Sequence, residues 1–329
     1  MKQIIIKRLK DFFFKTKHFS IALALYDFIW WICFYIRPPF AYKLSTFAIR
    51  KKTVWLDKYI GKHYSEIIER YHNNNSIQAP VKNHKIWVFW GQGESQMPPL
   101  VKACYRQLTA FNNNVVLLTN HNIKNYIHLS PIIYDKVTNK DISWAHFSDI
   151  IRTTLLANYG GLWLDATVWV SGKIPFEKLL KFSVFTANGK VPITNRSIQF
   201  WTSFEWNWST WCLFSNRKQN ILFSFVSEML QAIAIQEKYW PDYVIQDYLI
   251  YYACHQFPEV RKNMEECNKT ESKKRNHLAT LMNSPWNENI YLNLIKTDFF
   301  FKLSFRTQWK KTTKNGNQTY YGHIISTNI

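Results

Sequence analysis

Residues 143–170 read SWAHFSDIIRTTLLANYGGLWLDATVWV. In the first half, apolar Phe147, Ile150, Ile151, Leu155 and Leu156 recur at three- and four-residue spacings, which predicts a helix. Gly160-Gly161 supplies the glycine stop that ends such a helix. The second half, 162–170, predicts a buried strand, and period-two alternation puts Trp163, Asp165, Thr167 and Trp169 on one side of it. On the helix, Asp149 and Arg152 are three apart and share a face. An aspartate in the middle of so apolar a strand needs a partner or a task. Two readings stay open on residue chemistry alone. Either Asp149 and Arg152 pair locally while Asp165 caps a turn, or the three line a ligand site at the carboxyl end of a strand, where open α/β sheets bind ligands.

Upstream, Lys85-Ile-Trp-Val-Phe-Trp90 is a short apolar run bounded by Gly91-Gln92-Gly93, a buried strand entering a tight loop. Pro98-Pro99 opens a helical stretch through Leu108, and 115–119 (VVLLT) is a second buried strand. Strand, helix, strand, with strands apolar on both faces, predicts an α/β fold. The polar stretch 72–84 (HNNNSIQAPVKNH) reads as a linker. The chain divides into a basic, helical N-terminal region, 1–80, and a larger domain, 81–329, with halves 81–190 and 191–329.

The composition, 47% hydrophobic and 17% aromatic over 329 residues, excludes a disordered chain. The net charge of +20 asks for an anionic partner. Residues 1–62 carry 13 basic and 3 acidic side chains, and 261–314 carry 12 and 5, so the middle is nearly balanced. A charge split between two flanks, without an RNP, zinc-finger or helix-turn-helix signature, argues against nucleic acid. The 5 cysteines are widely spaced with no CxxC pair, which suits a reducing cytoplasm and buried thiols.

Residues 19–36 (FSIALALYDFIWWICFYI) are apolar but for Asp27. Three readings are open: a helix packed on the domain, an interfacial helix on anionic lipid, or a membrane span. An aspartate near the centre of a span costs about 3 kcal/mol, whereas the surrounding Lys/Arg excess suits anionic headgroups. Peripheral contact with an anionic membrane surface is the expectation.

The ordered motifs SDIIR, LL and YGGLWLDATV, with IWVFWGQGESQMPPLVKAC upstream, resemble the capsular polysaccharide synthesis family of bacterial glycosyltransferases. More distantly they resemble the sugar-transfer domains of the large clostridial toxins and of the yeast initiating mannosyltransferases. The similarity is specific over 85–172 and loose over 196–325. It implies a GT-A type fold: a nucleotide-sugar-binding mixed sheet flanked by helices, here with a helical N-terminal extension. It also implies a hexosyl-transferring glycosyltransferase acting on a bacterial surface glycan, capsular polysaccharide or lipopolysaccharide, at the cytoplasmic face of the membrane. The partners implied are a nucleotide-sugar donor and a glycan or lipid-linked glycan acceptor.

Carried over residue by residue, the resemblance makes Asp149 and Arg152 contacts of the donor sugar and nucleotide. Trp90 lies at a position where an aromatic covers the base, with ordinary core packing as the other reading, and Gln92 belongs to the same W-x-Q-G loop. Asp165 matches the first aspartate of a D-x-D motif, near ribose and metal, and Thr167 replaces the second. A hydroxyl is a weaker ligand for a hard cation than a carboxylate. Mn²⁺ or Mg²⁺ at Asp165 is still expected, and a metal-sparing mechanism using basic side chains is open. Lys302, in FFFKLSFR, is carried over as a diphosphate contact or is a solvated lysine; Phe301 stands where the family has histidine. Asp247 faces the acceptor hydroxyl as base or orienting group, and Asp242 is a helix cap. Trp201, Trp206, Trp208 and Trp211 stack on acceptor sugars or fill the core. The missing second aspartate motivates the competing reading, a non-catalytic carbohydrate- or lipid-carrier-binding protein.

Overall fold

The computed structural model describes residues 2–33, 40–73, 78–82, 84–187, 208–268 and 275–327. Trp201 and Trp206, residues 34–36 of the apolar N-terminal segment and part of the 72–84 linker lie outside them.

The chain begins with helices α1 (Lys2–His18), α2 (Ile21–Ile32), α3 (Phe40–His63) and α4 (Ser65–His72). Strands β1 (Ala79–Pro80) and β2 (Ile86–Phe89), helix α5 (Pro99–Phe111) and strand β3 (Val115–Leu118) follow, then α6 (Pro131–Thr138) and α7 (Trp144–Tyr159). Next come β4 (Gly161–Leu164), β5 (Val168–Val170), α8 (Phe176–Leu179), β6 (Val184–Thr186), β7 (Cys212–Ser215) and β8 (Arg217–Lys218). The C-terminal part holds α9 (Ile221–Gln236), α10 (Ile245–Gln256), α11 (Pro258–Asn268), α12 (His277–Leu281), α13 (Glu288–Ile295), β9 (Phe300–Lys302) and α14 (Tyr320–Ser326).

The central sheet has the order β3-β2-β4-β7-β6. Strands β3, β2 and β4 are parallel, and β7 runs antiparallel to both β4 and β6, so the sheet is mixed. Alternation assigns its two faces. Trp87, Trp163 and Leu213 enter one core with Ile150, Ile151 and Leu155 of α7 and Phe225, Val226 and Met229 of α9. Ile86, Val88, Leu162, Leu164 and Phe214 enter a second core with Val101 and Leu108 of α5. Each fully buried Leu or Ile contributes roughly 1.5–3 kcal/mol of apolar burial. Helix α7 is buried nearly all round, and its polar residues Arg152, Thr153 and Thr154 are buried with hydrogen-bond partners. A Thr154 Oγ1···Ser227 Oγ bond of 2.8 Å ties it to α9.

The N-terminal helices share in this packing. Leu56 and Ile60 of α3, Ile68 of α4 and Tyr64 between the two helices belong to the same core as α7 and α9. Asp27 on α2 pairs with Lys15 of α1 and, at 3.1 Å, with Lys52 of α3; Lys52 also reaches Asp242 at 2.6 Å. Burial alone would raise the Asp27 carboxyl, but Lys52 and Lys15 outweigh it and hold the group well below the usual carboxylate range. Helix α2 is thus a packing helix whose one charge is neutralised inside the protein. Its 12 residues cover about 18 Å. Among the described residues no helix is long and apolar enough to cross a membrane.

The glycine stop after α7 is sterically enforced. Gly160 and Gly161 have φ of +63° and +89°, and a Cβ on Gly161 would lie 2.5 Å from the Lys85 carbonyl oxygen. Close approach of β4 to the residue preceding β2 therefore needs glycine. Gly161→Ala is expected to cost about 3 kcal/mol from left-handed strain and overlap together. Urea unfolding checks this, and an unchanged midpoint would refute it.

Candidate functional site

Asp165 is the first residue after β4. Its N–H donates to the Trp211 carbonyl at 2.9 Å, and its own carbonyl accepts from the Val168 N–H at 2.9 Å, so the chain turns across residues 165–167. The continuous strand expected over 162–170 is therefore broken into β4 and β5. The physical reason is that its two tryptophans belong to different cores. Trp163 packs against α7 and α9, whereas Trp169 packs with Phe301 and Tyr320. The chain leaves the central sheet at Asp165 and pairs with β9 instead.

That pairing places Lys302 opposite Val168. The Lys302 ammonium donates to Asp165 Oδ2 at 2.6 Å and to Thr167 Oγ1 at 2.8 Å. The other carboxylate oxygen, Oδ1, accepts the Trp163 indole N–H at 3.0 Å and lies 3.5 Å from Arg152 Nη2. Arg152 also reaches Asp149 Oδ1 at 3.4 Å. Its remaining donors are anchored on the Thr210 carbonyl (2.8 Å), the Ser148 hydroxyl (2.9 Å) and the Ser148 carbonyl (3.2 Å). The guanidinium lies 5.2 Å from the Trp163 ring centroid, a cation–π distance. Sequence spacing thus placed Asp149 with Arg152 correctly, and the fold adds Asp165 to the pair. Arg152 is the buried member, with a side chain 7% exposed, whereas Asp165 and Lys302 are 26% and 27% exposed.

The carboxyls are pushed apart electrostatically. Burial would raise Asp165, but Lys302 first and Arg152 second lower it to about 2. Burial raises Asp149 to about 7, with Arg152 opposing and Asp165 adding to the rise. Asp247, in the first turn of α10, is likewise raised to about 7 by burial and then by Asp149, with Arg152 opposing. Asp165 is a fixed anion and the other two titrate near neutrality, the division that separates charge stabilisers from proton carriers.

Trp90 follows β2 and Asp165 follows β4; these strands are parallel with Ile86 beside Leu162, so both residues emerge at one edge of the sheet. The Trp90 ring meets Phe305 edge-on at 5.5 Å, and its indole nitrogen is buried with no hydrogen-bond partner among the described residues. Gln92 is exposed on the following turn and makes none of these contacts. Trp208 and Trp211 are core residues. Asp242 is not the cap expected of it: Val244 holds the N-cap position of α10, and Asp242 accepts the Val244 N–H at 2.9 Å in the turn before it and also binds Lys52. Phe301 is fully buried and packs with Trp169 and Tyr320.

Two contributors escaped the sequence reading of the site. Trp163 holds Asp165, and the period-two alternation puts the two on one side. Ser148 anchors Arg152 from one helical turn away, a signal available in the i to i+4 spacing.

A divalent ion such as Mn²⁺ or Mg²⁺ wants several hard oxygen ligands. Among the described residues no three His, Cys, Asp or Glu side chains converge on such a site. Both Asp165 oxygens already receive donors, and the Thr167 hydroxyl receives Lys302. The residues present do not fit a protein-held divalent metal.

The raised carboxyls set a pH dependence. Asp149 and Asp247 hold protons in the folded protein up to about pH 7, whereas unfolded aspartate loses its proton near 3.9. The folded state therefore binds more protons across that window, and stability falls as pH rises through it. The slope is at most about 1.4 kcal/mol per pH unit per carboxyl. Between pH 5 and 7 the wild type is expected to lose melting temperature relative to the Asp149→Asn, Asp247→Asn double variant, a comparison that cancels the opposite contribution of His146, whose burial lowers its own pKa.

A family model described as capsular polysaccharide synthesis protein matches residues 39–324. The match begins one residue before α3 and ends within α14, so it spans the central sheet, the Asp165 turn and β9. No curated protein matches the chain in a sequence comparison. The chain belongs to the capsular polysaccharide synthesis protein family.

Proposed function

We propose that the chain is a glycosyltransferase that moves a sugar from a nucleotide-sugar donor onto a growing bacterial surface glycan, using a GT-A type donor site. The observation that carries this reading is the Asp165–Lys302–Arg152 cluster at the carboxyl ends of β2 and β4. Leaving-group charge grows on a diphosphate as the glycosidic bond breaks, and fixed positive charge aimed there lowers the barrier. Lys302 is the exposed cation of the cluster, and Arg152 fixes the carboxylate that orients it. Trp90, at the same sheet edge, borders the base, with Gln92 beyond it. Asp149 contacts the donor sugar, and Asp247 takes the proton of the acceptor hydroxyl.

Donor hydrolysis with a panel of nucleotide sugars tests the reading. Asp165→Asn is expected to lower the rate by about a hundredfold or more. Equal rates would remove Asp165 from the donor site, and no hydrolysis by the wild-type chain would favour a non-catalytic carbohydrate-binding role.

The N-terminal helices support work at the inner face of the membrane. Ile5, Leu9 and Phe13 make an exposed stripe on α1, and Phe40, Phe47 and Val54 make another on α3. Exposed Lys10, Lys17, Lys43, Arg50 and Lys51 lie among them. Apolar stripes with interleaved lysines suit an interfacial position on anionic lipid. Phe13→Ser with Phe47→Ser, both exposed, leaves the core intact and is expected to reduce flotation with phosphatidylglycerol liposomes several-fold. Undiminished flotation would count against the surface.

A further inference from the structure

Lys302 occupies the place where a nucleotide-sugar site built on an aspartate pair would hold its metal. We infer that its ammonium is the resident cation of the donor site, so that diphosphate binding and departure proceed without a divalent ion. The inference rests on the donor-site reading above and goes beyond it in naming what replaces the metal.

Three observations carry it. First, the cation position is filled from within the fold. Lys302 Nζ lies 2.6 Å from Asp165 Oδ2 and 2.8 Å from Thr167 Oγ1, touching both positions of the D-x-D-like motif. Second, the placement is structural. Lys302 is the last residue of β9, its N–H donates to the Arg275 carbonyl at 2.9 Å, and the Leu303 N–H donates to the Thr167 carbonyl at 3.0 Å. The strand pairing therefore fixes the lysine's Cα beside the motif. Third, an ammonium has three N–H donors. Two are engaged by Asp165 and Thr167, and the side chain is 27% exposed, which leaves one donor for a ligand at the open edge.

Thr167 follows from the same logic. A second carboxylate there would put two anions on one ammonium, whereas a hydroxyl accepts an N–H and leaves a single balanced ion pair. Asp165 plays the part of an orienting counter-ion, not of a metal ligand. In the transfer step the bond from the sugar's anomeric carbon to the phosphate oxygen breaks, and its electron pair stays on the diphosphate beside Lys302. The anomeric carbon bonds to the acceptor oxygen, whose proton passes to Asp247.

The test is calorimetric titration of UDP, GDP and CDP into the full-length protein, once in EDTA and once in Mn²⁺. For whichever nucleotide binds, affinity is expected to agree within about twofold between the two conditions. Lys302→Met keeps the aliphatic stem and is expected to weaken binding by about tenfold or more in EDTA, while Lys302→Arg retains most of it. A single cooperative melting transition well above the titration temperature shows that both variants fold. Binding that EDTA abolishes and Mn²⁺ restores would overturn the inference, as would Lys302→Met binding like the wild type. If none of the nucleotides binds the wild-type protein in either condition, the donor-site reading itself fails, and the inference falls with it.

Discussion

A carboxylate at the buried end of a β-strand is stable only if positive charge meets it, and here it is met from two directions. Arg152 arrives from a helix packed on one face of the sheet, and Lys302 arrives on a strand from a separate small sheet. Each contact constrains a different part of the chain. The arginine requires α7 to run with its buried face against Trp163, and the lysine requires β5 to leave the central sheet and pair with β9. The break after Leu164 is the geometric cost of serving both. Removing either cation leaves Asp165 with one, and loss of Lys302, the nearer, costs more.

How much of this was legible in sequence depends on separation along the chain. Helix α7, its glycine stop, β2, α5 and β3 rest on periodicity and punctuation within about twenty residues, and each is found near its expected bounds. The same applies to the Asp149–Arg152 pair, one helical turn apart. The Lys302–Asp165 contact joins residues 137 apart, and no local pattern encodes which lysine among so many will be delivered there. The strand over 162–170 misled for a related reason. Alternation is blind to a change of sheet, because both β4 and β5 are apolar and only their partners differ.

The net charge also resolves into local duties once partners are visible. Lys15 and Lys52 are engaged by Asp27 and Asp242 inside the protein, and Lys302 by Asp165. The lysines and arginines facing outward on the N-terminal helices stand beside exposed aromatic and aliphatic side chains, a pairing that suits a lipid surface better than a polyanion read through its phosphates alone. The family match from residue 39 fits this picture, since α3 contributes Leu56 and Ile60 to the main core.

Lys52 holds one ammonium between two carboxylates from distant parts of the chain, Asp27 and Asp242. Such a shared ion ties the three positions together unequally. A neutral residue at 52 leaves Asp242 without its cation and Asp27 with Lys15 alone, while loss of either aspartate alone leaves the lysine still matched. Positions 27 and 242 are therefore expected to vary singly more readily than position 52. A triplet of that kind is a signature that can be sought wherever this architecture recurs.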